Sequence, residues 1–444
     1  MDFATALDWW LHRVDFEKRP ARRDELRLDC MRSLLTRLGN PQDRQRIIHV
    51  AGSKGKGSTS AMFEAVARSA GLRTGLFTSP HLCDVRERIQ VNGQPIGPDQ
   101  LATRLTEIRH IADSLPEPPT FFEIATALAF HHFSKLGVEL AIIEVGLGGR
   151  FDSTNACRPI LSVITSISHD HTAILGDKLS QIAFEKSGII KPGIPMVSGV
   201  VQAEAAHVVR DICRDRKSPL IELDHDFAFE HIAGRVDANG ITATAEMKFH
   251  VAGSQEAPGS FIFDVNLLGR HQAANASLVV AARPLLAAAG IDIRDDALRA
   301  GFATVRWPAR MEVFPGSPLT VLDCAHNVAS AHATVDTLNE SFPKGRRTLV
   351  FASSNDKDVP GILRVLLPEF HTAVFCRYGN NPRAVPAEQL AELAHSICPD
   401  MPTRAVDNPL DACAIAFSTS PEIVVVTGSV FLAGEVRPTL LANR

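Results

Sequence analysis

The sequence predicts an α/β fold, with an N-terminal domain on a mostly parallel sheet and a smaller α/β domain at the C-terminus. Three observations point there. Short apolar runs alternate with helix-length amphipathic stretches from residue 47 to residue 198. A Pro/Gly-punctuated stretch, ATVRWPARMEVFPGSP, occupies 303–318. Beyond it the alternation begins again. A βαβα rhythm needs crossover connections, and these place helices on both faces of a parallel sheet.

In chain order, Ile47-Ile48-His49-Val50-Ala51 reads as a buried strand and Gly57 to Ala70 as the helix after it. Leu72 to Phe77 is strand-like, Phe122 to Leu136 helix-like, and Glu139 to Val145 a further buried strand. Leu161 to Ile167 follows, then a helix over Leu179 to Gly188 and a strand over Ile194 to Ser198. From Asp224 to Leu268, Gly, Asn, Thr and alternating apolar residues predict a small antiparallel insert. Helical patterning returns from His271 to Ala289. These elements make up a domain of residues 1–302. Residues 303–318 read as an interdomain linker. Leu319 to Leu322, Thr348 to Ala352, Thr372 to Cys376 and Ile423 to Val426 are the strands of a second domain, 319–444.

Of the 444 residues, 45% are hydrophobic and 22% charged, with a formal charge of −4. That is globular composition without the basic surplus that nucleic acid or an anionic membrane selects. Lys344-Gly345-Arg346-Arg347 is short enough to be a solvated loop. The eight cysteines, at 30, 83, 157, 213, 324, 376, 398 and 413, form no CxxC pair. They read as reduced thiols, not as a disulfide frame or a zinc site. The start of the chain, with Asp2, Asp8 and Trp9-Trp10, lacks the basic-then-apolar layout of a signal peptide. No uncharged apolar run approaches the ~20 residues a membrane helix needs. A cytoplasmic protein with neither nucleic-acid nor membrane partners is expected.

The sharpest local signal is Gly52-Ser53-Lys54-Gly55-Lys56-Gly57-Ser58-Thr59, between a strand and a helix. Glycines let backbone amides close around phosphate oxygens, and the helix N-terminus adds partial positive charge. Lys56 would reach the β/γ-phosphates, and Ser58 or Thr59 could support a magnesium ion. The plainer alternative is a Gly-rich turn with a solvated lysine. The spacing is shorter than the usual GxxxxGK[ST], because Val50 stands where the first glycine belongs.

Further short motifs follow in order. They are Thr78-Ser79-Pro80-His81-Leu82, Glu87-Arg88-Ile89, the run Glu144 to Asn155 (EVGLGGRFDSTN), Asp170-His171-Thr172 with Leu175-Gly176-Asp177, and Glu185-Lys186-Ser187-Gly188-Ile189. Gly269-Arg270-His271-Gln272 with Asn275, Trp307-Pro308-Ala309-Arg310 and Leu322-Asp323-Cys324-Ala325-His326-Asn327 complete the series. Taken together and in this order, they resemble the folylpolyglutamate synthase/dihydrofolate synthase family of the Mur ligase superfamily, over nearly the whole chain. The resemblance implies a P-loop ATPase-type N-terminal domain and a Rossmann-like C-terminal domain. It also implies an ATP-dependent ligase that adds L-glutamate to a folate through an acyl phosphate, with dihydropteroate open as a second acceptor and a monomer as the expected state.

The resemblance assigns roles residue by residue. Lys54, Gly55, Lys56, Gly57, Ser58 and Thr59 would cradle the ATP phosphates. Ser79, Glu144 and His171 match the magnesium-associated positions, where a hydroxyl and a carboxylate are hard donors suited to Mg²⁺. Read alone, Ser79 could be turn chemistry and His171 a structural histidine. Glu144 ends an apolar strand, where an unpaired carboxylate would be costly. Lys186 matches a lysine carbamylated in the family, which could join a second metal site; by itself it reads as a helix-surface lysine. Asn275, Arg310 and Asp323 would hold ATP, with Arg310 on the linker, and His326 would contact phosphate or the incoming amino acid. Asp323 and His326 could equally serve as helix N-caps. Phe121, Phe122 and Glu123, with Phe151, Asp152 and Ser153 nearby, would line the pterin pocket; core packing explains Phe121-Phe122 equally well.

Three sites, four residues in all, depart from the family pattern. Ser53-Lys54 stands where Thr-Asn or Thr-Lys is common, His169 where an apolar residue is usual, and Cys324 where glycine is frequent. None removes a group the chemistry needs. Two other readings compete. A Mur-type cell-wall ligase would carry a UDP-binding domain before the core strand, yet that strand begins within the first 50 residues. A non-catalytic ATP-binding module would be expected to have lost some of Lys56, Glu144, His171 and Lys186.

Overall fold

The computed structural model describes residues 1–16, 25, 27–251, 261–379 and 381–442. The chain divides into two compact units. The first is Met1–Glu230, Met247–Phe263 and Ala274–Val305; the second is His231–Glu246, Asp264–Ala273 and Arg306–Arg444.

An eight-stranded sheet is the frame of the first unit. Its strands are β1 (Arg46–Ala51), β2 (Thr74–Phe77), β3 (Ile89–Val91), β4 (Gln94–Pro95), β5 (Leu140–Glu144), β6 (Leu161–Ile164), β7 (Met196–Ser198) and β8 (Leu220–Glu222). Their order is β4-β3-β2-β5-β1-β6-β7-β8. All pairs from β2 to β8 are parallel; β3 and β4 add an antiparallel edge. Buried apolar runs such as Leu140-Ala141-Ile142-Ile143 suit strands covered on both faces. Val50 pairs with Glu144 and Ala51 with Ile164, so the segments after β1, β5 and β6 all leave from one end of the sheet. That carboxyl end, where the strand order reverses around β1, is where open α/β sheets bind ligands.

The helix after β1 begins at Lys56, capped by Gly55 at φ 83°, and runs to Ser69. It lies hard against the helix Asp295–Thr304: a Cβ on Gly301 would strike the backbone of Val66. Two N-terminal helices, Phe3–Leu11 and Asp29–Arg37, went unread in the sequence. The first starts with Asp2 accepting from the Thr5 amide at 2.8 Å. It ends with Trp10 fully buried, stacked on Phe121 at 4.9 Å and 14°. The Trp10 indole also donates to the Phe121 carbonyl at 3.0 Å. Phe121 is the first residue of the helix Phe121–Lys135, so this contact fixes where that helix starts.

Five strands occupy the region of the expected insert: β9 (Phe227–Ile232), β10 (Arg235–Asp237), β11 (Gly240–Ala243), β12 (Ala245–Val251) and β13 (Phe261–Val265). β10 and β11 form an antiparallel hairpin, and a three-stranded sheet has the order β13-β12-β9. Residues 252–260 of the insert lie outside the described residues.

The second unit carries a six-stranded sheet: β14 (Glu312–Phe314), β15 (Leu319–Leu322), β16 (Arg347–Phe351), β17 (Thr372–Phe375), β18 (Thr403–Ala405) and β19 (Ile423–Thr427). The order is β14-β15-β19-β16-β17-β18, parallel except for β14. Strand β14 falls inside the stretch expected to be a linker. Val313 and Phe314 are buried there, and three residues between Pro308 and Pro315 suffice for an edge strand. All eight cysteines are free thiols. Among the described residues, no helix is long and apolar enough to cross a membrane.

Replacing Trp10 with Ala removes a fully buried ring together with its indole hydrogen bond. It is expected to destabilise the first unit by about 3–5 kcal/mol. Urea denaturation of the two proteins measures this, and an unchanged midpoint would refute the pinning role.

Candidate active site

The phosphate-loop candidate leaves β1 at Gly52, whose φ of 152° lies in a region that L side chains rarely adopt. A Cβ there would collide with the Thr165 hydroxyl, and one on Gly55 would collide with the Asn275 side-chain amide. Glycine is therefore required at both positions. The second collision also places Asn275, on the helix Arg270–Ala288, directly against the loop.

Hydroxyl groups just after β6 hold the loop backbone. The Ser53 amide donates to the Ser166 carbonyl at 2.8 Å. The Ser53 hydroxyl donates to the Ser168 carbonyl and accepts from the Ser168 amide, both at 3.0 Å. The Lys54 carbonyl accepts from Thr165 Oγ1 at 2.5 Å and from Ser166 Oγ at 3.1 Å. Thr165, Ser166 and Ser168 were absent from the sequence-based site; the hydroxyl-rich run Thr165-Ser166-Ile167-Ser168 was the available signal.

Two ammonium groups converge on one carbonyl. Lys56 Nζ donates to the Gly52 oxygen at 3.1 Å and Lys186 Nζ donates to the same oxygen at 3.0 Å. Lys186 ends the helix Leu179–Lys186 and is only 3% exposed, so the plain surface-lysine reading does not apply. Burial, then the neighbouring Lys56 charge, lowers its pKa to about 7. Two lysine amino groups crowded at the start of the helix Lys56–Ser69, at least one of them charged, form a site that an anion would relieve. A third lysine, Lys54, pairs with the buried Asp170 at 2.7 Å.

Glu144, at the end of β5, is 4% exposed, and its Oε2 accepts from the Ser79 amide at 3.1 Å. The structure thus brings Ser79 and Glu144 together. His171, at φ 50° ahead of a short helix Thr172–Leu175, sits beside Asp170 with Nε2 3.9 Å from Oδ1. Among the described residues, no three His, Cys, Asp or Glu side chains cluster as a metal site. The expected magnesium group supplies only two of those types, Glu144 and His171, with a hydroxyl as its third donor. One buried carboxylate at the Ser79 backbone suits a hard cation that keeps several waters.

Of the residues expected around the pterin, Phe121 belongs to the core against Trp10, with the Arg88 guanidinium 5.1 Å from its ring centre. Phe122 is partly buried, 5.8 Å from Phe77, and a Cβ on Gly146 would meet its ring. The Glu123 carboxylate closes a capping box, accepting from the Thr120 amide at 2.8 Å and the Thr120 hydroxyl at 2.9 Å. Burial raises its pKa against those hydrogen bonds. Asp152 caps the 3₁₀ turn Ser153–Ala156 and accepts from the Leu147 amide at 2.8 Å. Phe151 is 41% exposed, with the Arg150 guanidinium 4.4 Å over its ring.

In the second unit, Asp323 follows β15 and is 7% exposed. Its carboxylate accepts from the Met311 amide at 3.0 Å, the Ala325 amide at 2.8 Å and Thr334 Oγ1 at 3.2 Å. It is therefore a hub between the Arg310 segment and the following helix, and it does not cap that helix. The N-cap is Asn327, which accepts from the Ser330 amide at 2.9 Å, and the helix is Val328–Ser341. His326 consequently precedes the helix instead of beginning it, with Nδ1 2.9 Å from the Cys324 carbonyl. The Arg310 guanidinium contacts the Cys324 sulfur, so the residue standing where glycine is frequent is in direct contact with the expected phosphate-binding arginine. Ala309 and Met311, on either side of Arg310, both have positive φ.

Comparison with known proteins agrees with this architecture. The Mur ligase middle domain family matches residues 50–283, and the Mur ligase glutamate ligase domain family matches residues 309–430. The chain is 35% identical over 441 residues to the dihydrofolate synthase/folylpolyglutamate synthase of Bacillus subtilis, covering 97% of each chain. A crystal structure of Mycobacterium tuberculosis folylpolyglutamate synthase complexed with ADP and AMPPCP superposes with a TM-score of 0.86 at 32% identity, covering 99% of each chain. The E. coli FolC protein in complex with DHPP and ADP superposes with a TM-score of 0.84 at 25% identity, over 100% of this chain and 99% of that one. With both Mur ligase domains in order and homology along its whole length, this chain belongs to the folylpolyglutamate synthase/dihydrofolate synthase family of the Mur ligases.

Proposed function

We propose that this protein is an ATP-dependent ligase that joins L-glutamate to the carboxylate of a folate through an amide bond. The observation that carries the reading is the pair of lysines, Lys56 and Lys186, on the Gly52 carbonyl at the end of β1. Amide formation from a free carboxylate is unfavourable in water. Transfer of the ATP γ-phosphoryl group to the folate carboxylate gives an acyl phosphate, which the glutamate amine attacks with loss of phosphate. Both steps accumulate negative charge, and fixed cations and amide dipoles stabilise it.

In this reading Lys54 to Thr59 cradle the phosphates, with the Lys56 ammonium on the β/γ oxygens. Asn275 supports the nucleotide from beside Gly55. Arg310 and Asp323 hold ATP, and His326 contacts phosphate or glutamate. Ser79, Glu144 and His171 would hold Mg²⁺, which neutralises charge on the transferring phosphoryl oxygens. Phe122, Phe151 and Ser153 face the pterin side; Phe121, Glu123 and Asp152 act there through the helix start and loop they hold. A monomeric enzyme in the cytoplasm completes the proposal.

A dihydrofolate synthase activity on dihydropteroate belongs to the same proposal. The B. subtilis relative carries both activities in its name, and the E. coli structure holds DHPP.

Lys186 is proposed to react with CO₂ and form a carbamate. A buried amine with a pKa near 7 is substantially neutral and nucleophilic at physiological pH. Its depressed pKa is also a stability statement. The folded state binds this proton less tightly than the unfolded state, so the cost is fully present below about pH 7 and disappears as pH rises toward the ordinary lysine value.

The direct test is ADP and phosphate release from ATP with dihydropteroate or tetrahydrofolate and L-glutamate. Release is expected only with both co-substrates, and Lys56→Ala is expected to abolish it; turnover of ATP alone, or near-normal ligation in the variant, would overturn the assignment. Glu144→Gln is expected to shift the magnesium titration to higher concentration, and an identical titration would contradict its ligand role. In CO₂-free buffer the gain in stability from pH 7 upward is expected to shrink in Lys186→Met, read from denaturation midpoints. With bicarbonate, intact-protein mass spectrometry under native conditions should show one added CO₂ on the wild type and none on Lys186→Met.

A further inference from the structure

His49 is fully buried in the centre of the first unit's sheet, an expensive place for an imidazole. It lies on β1, three residues before Gly52, paired with Ile143 and Ser162 on the flanking strands. Its two ring nitrogens face different loop residues. Nε2 is 2.9 Å from Thr154 Oγ1, and Nδ1 is 4.0 Å from Cys157 Sγ.

With Asp152 as a carboxylate, a form its two amide donors favour against the burial that raises its pKa, the proton directions in this group follow by counting. The Thr154 hydroxyl has one hydrogen, and it is given to Asp152 Oδ1 in a short hydrogen bond. Thr154 Oγ1 must therefore accept from His49, which requires the proton on Nε2. Nδ1 is then an acceptor and faces a thiol. Burial pushes the Cys157 pKa up to about 12, so the thiol keeps the hydrogen it donates. Burial, with a contribution from Lys191, holds the His49 pKa down at about 3, so the ring is neutral. The Asp152 carboxylate closes the chain, accepting also from the Thr154 amide at 3.0 Å and the Leu147 amide at 2.8 Å. Cys157, His49, Thr154, Asp152 and Leu147 thus form one directed chain of hydrogen bonds.

This chain ties down the loop 146–155. The same loop is anchored on its other side, where the Arg150 amide donates to the Glu185 carbonyl at 2.9 Å and Asn155 Nδ2 donates to the Gly188 carbonyl at 3.3 Å. Between the two anchors it presents Phe151, which is 41% exposed, and Ser153. We propose that His49 is a positioning residue for the folate side of the reaction, holding the loop 146–155 in place through Thr154 and Asp152. The inference rests on the folate reading given above. A strand that only needed to be buried would be served by valine or isoleucine; the imidazole makes β1 the common support of the phosphate loop at its end and of the substrate loop at its face.

The test compares three variants with the wild type. In His49→Leu the Thr154 oxygen loses its donor and the Cys157 thiol its acceptor, and in Thr154→Val the His49 N–H loses its acceptor. Each is expected to raise the KM for the folate co-substrate about tenfold while changing the KM for ATP by less than about twofold. His49→Gln, whose amide N–H replaces Nε2–H, is expected to restore the folate KM to near the wild-type value. Parallel changes in both KM values, or an unchanged folate KM in folded His49→Leu and Thr154→Val, would overturn the proposal. A second measurement does not depend on turnover. Histidine ¹⁵N spectra of the wild type, with His49→Gln to assign the signal, should show a neutral ring protonated on Nε2 at pH 7. A proton on Nδ1 or a charged ring would refute the chain. If the wild type showed no folate-dependent turnover at all, the functional reading would fail while the spectra still decided the hydrogen-bond chain.

Discussion

Two lysine amino groups sharing one carbonyl oxygen are the constraint around which the first unit is arranged. Lys56 and Lys186 come from different helices, and both end on Gly52. Holding two amino groups there requires local dipoles of the right sense, and it requires that the backbone supplying the carbonyl cannot rotate away. Gly52 meets the second condition through a conformation that side chains would forbid and through contact with Thr165. The strand register meets the first by bringing Glu144 to the same end of the sheet as the loop. The site is therefore electropositive at its centre and acidic at its border, which suits a phosphate chain accompanied by a divalent cation.

The sheet order follows from the same requirement. Placing β1 between β5 and β6 puts the loop after β1 between the carboxylate that ends β5 and the hydroxyls that follow β6. A phosphate loop at the edge of the sheet would lack one of these two flanks. The buried strands Leu140–Glu144 and Arg46–Ala51 are thus the physical reason the polar residues beyond them are precisely placed relative to one another in chemistry, although they carry almost no chemistry themselves.

Much of this could be read from the residues, because glycine spacing and apolar runs encode local geometry. The strands β1, β5 and β19 stand where the buried apolar runs predicted, and the helix after the phosphate loop begins where the glycines end. Other features were illegible because they depend on partners distant in sequence. Nothing local marks Thr165 as the acceptor's partner for Lys54, 111 residues away. Glu123 carries no sign that distinguishes a pocket carboxylate from a capping one until Thr120 is seen bonded to it, although the T-x-x-E spacing was available. Strand β14 was hidden by its prolines, and the N-cap at Asn327 by the more chemically suggestive Asp323 and His326 beside it. The N-terminal helices escaped because a Trp-Trp pair was weighed against targeting signals and not against a buried stacking partner.

The hydroxyl clasp between residues 53–54 and 165–168 has a consequence for how a nucleotide is received. A glycine-rich segment left to itself samples many backbone states, and a ligand that selects one of them gives up affinity in proportion. Here the hydroxyl groups of Ser53, Thr165 and Ser166 make the selection when the polypeptide folds. The receptor is stiff before the visitor arrives, so discrimination among visitors rests on fit to a fixed template and not on the template's willingness to adapt.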